Sequence, residues 1–359
     1  MCGERLPLQA ESAAALYNTT ATGCITLLFP PRDDGLKICC LLPSGAEILY
    51  ALGLGDSVIG VSDLCDFPHE ILQTKTVVSR SRVDPAVMSS EEVEAALRDI
   101  LERGESPYEL DYEWLARESP DIIFTQDLCH ICEIDAGEVN LAVRGMAVQP
   151  KVVVLQPRTF GNILDSIIEV GEVCGVPGRA SELVASLRDR VDSVVSRTKA
   201  APSRPSVFSL EGVNPLVAGG HWIPDMLRMA GGSITALEPG CDARRLEWRE
   251  VLDAAPEKLF VDLCSSDVAR HLREAPWLAA QEGWRSIPAV AAGEVYLIDH
   301  AYFSCPGPRV VDGLEILAQL THPELFSGMI PPGIAVKLDG YAAARTPPEE
   351  IAGCFYPYP

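Results

Sequence analysis

The residues that could do chemistry in this chain are five cysteines, three histidines and the carboxylates beside them. The densest group is Thr125-Gln126-Asp127-Leu128-Cys129-His130-Ile131-Cys132-Glu133, a C-x-x-C pair enclosing a histidine. Cys65, Cys264 and Cys305 each follow a short apolar run, as this group does, and His221 and His300 fall in comparable loops. Thiolate and imidazole suit zinc, copper(I) or one face of a cobalt or iron chelate. The metal-ligand set expected on this ground is Cys65, Cys129, His130, Cys132, Cys264, His300 and Cys305. A structural zinc site takes four ligands in paired spacings, and the chain holds a single C-x-x-C. A redox dithiol at Cys129 and Cys132 is the weaker reading without a thioredoxin-like context. Cys39, Cys40 and Cys174 lie in apolar elements, where cysteine is simply a small core residue.

No P-loop, G-x-S-x-G or H-E-x-x-H occurs, and no carboxylate pair has a spacing that singles out acid–base work. The expectation is therefore a binding protein and not an enzyme.

Position gives the thiols their interest. Asp121-Ile122-Ile123-Phe124, introduced by Pro120, reads as a buried strand of a parallel sheet, so the Cys/His group stands at a strand end. Ligands of open α/β sheets bind outside the carboxyl ends of the strands. Earlier in the chain, strands are expected at 36–42 and 58–61, with a helix over 46–52 capped by Ser44. Ser89-Ser90-Glu91-Glu92 opens a charged amphipathic helix to about Arg103. Further helices are expected near 112–118 and 136–144, and a strand at 151–155.

Residues 160–199 are helical in pattern almost throughout, broken at Gly175-Val176-Pro177-Gly178. Such a connection is stiff, unlike a Gly/Ser linker. A second unit follows, with strands at 206–210, 258–261 and 295–298, and a last helix over 309–320. The expected organisation is an N-terminal extension (1–35), an N-lobe (36–158), a helical bridge (159–200), a C-lobe (201–325) and a tail without periodicity (326–359).

An internal echo supports two lobes. Trp114–Phe124 and Glu250–Phe260 both read helix end, proline, acidic residue, apolar strand, and both lead to Asp-Leu-Cys, at 127–129 and 262–264. A third Asp-Leu-Cys stands at 63–65. The fold class is α/β: two Rossmann-like lobes with a ligand cleft between their strand ends.

Composition bounds the partners. Of 359 residues 47% are hydrophobic, enough for real cores, while a net charge of −22 opposes binding to nucleic acid or anionic lipid. No run reaches the roughly 20 apolar residues of a membrane span, so no membrane insertion is expected. Neither a secretory signal nor a transit peptide is recognisable before residue 35, and the twelve cysteines then read as thiols of a reducing compartment. The expected location is the cytoplasm.

Residues 37–325 resemble the periplasmic cobalamin/iron-siderophore binding proteins of ABC importers. The matches are Leu42-Pro43-Ser44-Gly45-Ala46-Glu47-Ile48, Ala51-Leu52-Gly53-Leu54-Gly55, Cys65-Asp66-Phe67-Pro68 and Ser119-Pro120-Asp121-Ile122-Ile123, then Gly219-Gly220, Gly231-Gly232, Trp248 and Pro306-Gly307-Pro308-Arg309. The chain looks most like the cobalamin-binding branch, in a non-exported form. The resemblance implies two lobes bridged by a long helix and a small-molecule metallo-ligand in the cleft: cobalamin, another corrinoid or an iron chelate. Ser44, Leu64, Cys65, Gln126, Cys129, His221, Trp222, Tyr302 and Phe303 are the expected ligand-binding residues. Trp222 could equally be ordinary packing at a helix start. The resemblance also implies one acid per lobe docking onto an ABC permease, Glu47 on the first and Glu250 near the matching place on the second. A zinc or copper protein, and a chelatase-like enzyme on the same scaffold, are the alternatives.

Overall fold

The computed structural model describes residues 35–85, 87–126, 136–146, 148–234 and 236–358. The apolar runs of the first half become β1 (Ile38–Cys40), β2 (Val58–Ser62), β5 (Ile122–Gln126) and β6 (Lys151–Leu155). With β3 (Thr76–Ser81) and β4 (Tyr108–Leu110), which the sequence pattern did not announce, they form a sheet of order β4-β3-β2-β1-β5-β6. All neighbours are parallel except the edge pair β3–β4. Alternate residues of β1 feed two cores: Ile38 and Cys40 join one apolar cluster, and Cys39 joins another with Trp114 and Val139.

Helices α1 (Pro43–Ala51), α2 (Ile71–Thr74), α3 (Ser90–Glu102), α4 (Tyr112–Glu118) and α5 (Ala136–Val143) complete the first lobe. The helix expected to be capped by Ser44 begins earlier. Pro43 takes the first position, where its fixed φ suits the first turn, and Leu42 stands at the cap without a side-chain bond. Ser44 is buried inside that turn. The capping box of α3 is present: the Ser89 hydroxyl accepts from the Glu92 N–H at 3.3 Å, and Glu92 accepts from the Ser89 N–H at 2.8 Å.

The helical stretch resolves into α6 (Phe160–Val173) and α7 (Pro177–Lys199). They pack so closely that a Cβ on Gly171 would lie 2.3 Å from the Ala180 side chain. At 23 residues, α7 is about 35 Å long. One apolar cluster runs from β1, α1 and α6 through α7 to α8 (Ile223–Met229) and α12 (Val310–Thr321), so the two halves share a core.

The second sheet has the order β13-β12-β11-β10-β7-β8-β9. Its strands are β7 (Val207–Val213), β8 (Leu216–Ala218), β9 (Arg244–Arg245), β10 (Lys258–Val261), β11 (Val295–Ile298), β12 (Ala335–Leu338) and β13 (Phe355–Pro357). Helices α9 (Trp248–Ala254), α10 (Val268–Ala279), α11 (Pro288–Ala292) and α13 (Gly340–Ala343) surround it. The stretch after 326 is thus no featureless tail, because β12 pairs antiparallel with β11, and β13 with β12. Four residues are too few for periodicity to declare a strand. Its place is fixed by long-range contacts: Val336 and Leu338 enter the second lobe's core, and Lys337 Nζ reaches Glu294 at 2.6 Å.

Candidate functional site

The carboxyl ends of strands from both sheets meet around one cavity of about 180 Å3. The first lobe contributes Leu64 after β2, Ser81 and Val83 at the end of β3, Tyr108 of β4, and Ser90, Val93, Glu94 and Leu97 of α3. The second lobe contributes the β7–β8 hairpin, from Glu211 to Val217, and the turn Leu263-Cys264-Ser265 after β10, with Arg270 behind it.

Two histidines shape that turn. His271 Nε2 accepts the Leu263 N–H at 3.1 Å, and His300 Nδ1 accepts the Ser265 N–H at 3.2 Å. Ser265 has φ +54°, a left-handed conformation that a non-glycine residue adopts when its surroundings hold it there. Burial pushes His271 down to about 3 and also lowers His300, so both rings stay neutral acceptors near neutral pH.

A clasp closes the mouth on the α3 side. Glu274 accepts the Ser90 N–H at 2.7 Å, Arg245 pairs with Glu94, and Asn214 donates to Glu91 at 3.4 Å. A second link lies elsewhere between the lobes, where Arg309 at the start of α12 binds both Glu47 and Asp66. A third joins Arg158 to Asp242.

Several expected site residues stand away from the cavity. Trp222 is buried in the shared core, and its indole N–H donates to the Phe303 carbonyl at 2.6 Å. Phe303 is itself core, and Tyr302 packs half-buried against the same apolar cluster, so the loop after β11 faces α8 and α12. His221 has φ +51° and lies 3.5 Å from Asp242; burial lowers its pKa, with Asp242 opposing. Ser44, Cys65 and Gln126 are buried within the first lobe. Leu64 lines the cavity, and so does Cys264.

The expected metal set does not converge among the described residues. Cys65 packs in the core, and Cys305 Sγ points at Glu47 Oε2, 3.7 Å away. Cys264 lines the cavity, while the Nδ1 of His300 is taken by a backbone N–H. No three His, Cys, Asp or Glu side chains among the described residues are placed to hold a metal ion. Cys129, His130 and Cys132 lie outside the described residues.

The two expected docking acids differ in exposure. Glu47 is buried, 1% exposed, with its carboxylate turned onto Arg309, so here it is not presented to a partner's arginine. Burial raises its pKa despite Arg309. Glu250 is partly exposed and forks with Arg244 at 2.7 and 3.2 Å. Sequence reasoning missed Tyr108, Ser90, Arg270 and the hairpin wall. The Asn214-Pro215 turn was the one local signal for the last of these.

Two α/β lobes, a helical connection and a cavity at opposed strand ends define a substrate-binding protein. The chain belongs to the periplasmic binding protein family, which matches residues 38–302. It is 25% identical over 301 residues to the uncharacterized ABC transporter substrate-binding lipoprotein YvrC of Bacillus subtilis, covering 82% of each chain. It is 21% identical over 286 residues to the vitamin B12-binding protein of Vibrio cholerae, covering 78% of this chain and 86% of that one. Among solved structures, a possible iron-binding periplasmic solute-binding protein of Staphylococcus epidermidis superposes with a TM-score of 0.61 at 21% identity, over 79% of this chain and 97% of the other.

Proposed function

We propose that this protein binds a metal-bearing cofactor or chelate, a corrinoid or an iron chelate, in the cavity between its lobes and delivers it to an ABC permease. The observation that carries the reading is the cavity lined from both lobes at the carboxyl ends of β2, β3, β7 and β10. The ligand class is taken from the relatives, one a vitamin B12-binding protein and one a possible iron-binding protein. The permease follows from the family's role and from the substrate-binding lipoprotein among the relatives.

The cavity of about 180 Å3 is below the roughly 300–1,000 Å3 of small-molecule pockets, so a macrocycle needs the mouth to widen. The clasp on α3 suits that opening. The Arg245–Glu94 pair is partly exposed, and exposed pairs contribute only about 0–1 kcal/mol. The shared core along α7 limits how far the halves swing. Cyanocobalamin, cobinamide, haemin and a ferric hydroxamate, titrated into purified protein by absorption and calorimetry, test the reading. One of them should bind with one-to-one stoichiometry and micromolar or tighter affinity. Binding by none of the four would overturn it.

A further inference from the structure

Arg270 is a buried cation facing the cavity, and among the described residues no carboxylate is hydrogen-bonded to it. It is 5% exposed and lines the cavity wall on the first turn of α10. Its Nη1 donates to the Ser266 hydroxyl and its Nη2 to the Ser90 hydroxyl at 3.3 Å. Its Nε has no hydrogen-bond partner among the described residues. Glu274, one turn further along α10, spends Oε1 on the Ser90 N–H. Of the two acids on the lining, Glu94 is paired with Arg245 and Glu211 belongs to the hairpin. Desolvation lowers the Arg270 pKa, with the Glu274 carboxylate opposing.

A charge taken out of water costs several kcal/mol unless it is paired, and a buried donor without an acceptor adds to that cost. Buried orphans of this kind call for a bound group. A guanidinium is a planar donor fork matched to carboxylate and phosphate oxygens. The serine hydroxyls beside it come from both lobes, so a group seated there would touch both at once.

We propose that Arg270, with Ser90 and Ser266, forms an anion subsite in the cleft that takes an acidic group of the ligand, a carboxylate or a phosphodiester, and so favours acid-bearing chelates over neutral ones. The subsite refines the proposed function and rests on binding in this cavity.

The test has two arms on the full chain. In the first, thermal melts at constant ionic strength compare inorganic phosphate and acetate with chloride, for the wild type, Arg270→Gln and Arg270→Lys. Phosphate or acetate should raise the wild-type Tm above its chloride value, leave Arg270→Gln unmoved, and raise Arg270→Lys in part. Which anion acts separates the phosphate from the carboxylate source. In the second arm, haemin is compared with its dimethyl ester, whose acids are blocked. The wild type should prefer haemin by about tenfold or more, and Arg270→Gln should lose the preference. Ser90→Ala, which keeps the charge, should weaken the preference if Arg270→Gln does not fold. Equal anion effects in wild type and Arg270→Gln, or no anion effect at all, would overturn the subsite. An anion effect with no chelate bound would leave the subsite standing and remove the proposed ligand class.

Discussion

Arg309 holds Glu47 by two bonds at once, its backbone N–H reaching Oε1 at 2.5 Å and its Nε reaching Oε2 at 2.8 Å. The guanidinium also forks onto Asp66 at 2.7 and 3.1 Å, and its carbon lies 5.2 Å from the centre of the Phe67 ring. One residue at the head of α12 thereby fixes α1 and the loop after β2. Burial opposes the Arg309 charge, but Asp66 and Glu47 outweigh it and hold its pKa above the ordinary guanidinium value.

Arg309→Met should therefore strand a buried carboxylate. Removing one partner of a buried pair costs about 3–5 kcal/mol, whereas Glu47→Gln removes the buried charge itself and should cost less. Calorimetric melts should place Arg309→Met several degrees below Glu47→Gln. Equal Tm values for the two variants would show that the pair is not a lock.

Asp262 gives a pH signature. It is 3% exposed, accepts from the Ser209 hydroxyl at 2.7 Å, and burial raises it to about 7. A carboxyl held above its unfolded value of about 3.9 favours the protonated fold, so this contribution is full below pH 4 and is lost as pH rises toward 7. Asp262→Asn should remove the loss, gaining on the order of a few kcal/mol over wild type at pH 8 relative to pH 4. The difference in urea stability between variant and wild type, followed against pH, reads it. A difference independent of pH would contradict the buried, protonated carboxyl.

Trp222 should matter to stability and not to the ligand. Trp222→Phe loses the indole bond to the Phe303 carbonyl and some core volume, costing about 1–3 kcal/mol. Affinity for whichever chelate binds should stay within about twofold, well under the 1.4 kcal/mol of a tenfold change. A large loss of affinity at unchanged stability would restore Trp222 as a stacking residue.

Two glycines separate close packing from open space. A Cβ on Gly220 would lie 2.2 Å from the Ala243 backbone nitrogen, while one on Gly178, in α7, meets nothing within 4 Å. Gly220→Ala should cost about 1–3 kcal/mol by forcing the two loops apart. Gly178→Ala should be neutral or stabilising by up to about 1 kcal/mol. Similar melts for the two would contradict the loop contact.

The parallel strands and the two lobes were legible because β1, β5, β6 and β10 are short apolar runs introduced by Pro, Gly or charge. β3, β4, β12 and β13 were not: polar residues interrupt β3 and β4, and β12 and β13 lie in a proline-rich stretch without periodicity. The site was harder still. Cys65, Cys305 and His300 all follow strands, yet the chain turns each a different way, and strand ends do not announce that direction. Trp222 looked like a pocket wall because it follows the Gly219-Gly220 turn, and Phe303 because it stands in the loop after the last predicted strand. Here the packing of α8 on α12 takes them inward. Arg270 gave no signal, since an arginine on an amphipathic helix reads as surface until the first turn of α3 covers it.

A ligand seated between the lobes would be displaced by filling that space. Val93 lines the cavity from α3 and is only partly buried, so Val93→Trp would fill the space with little harm to either core. Equilibrium binding of cyanocobalamin and haemin to wild type and Val93→Trp, with melts as the folding control, is the measurement. Cleft binding predicts that the chelate held by the wild type is bound at least about tenfold more weakly by the folded variant. Equal binding by the two proteins would place the ligand elsewhere.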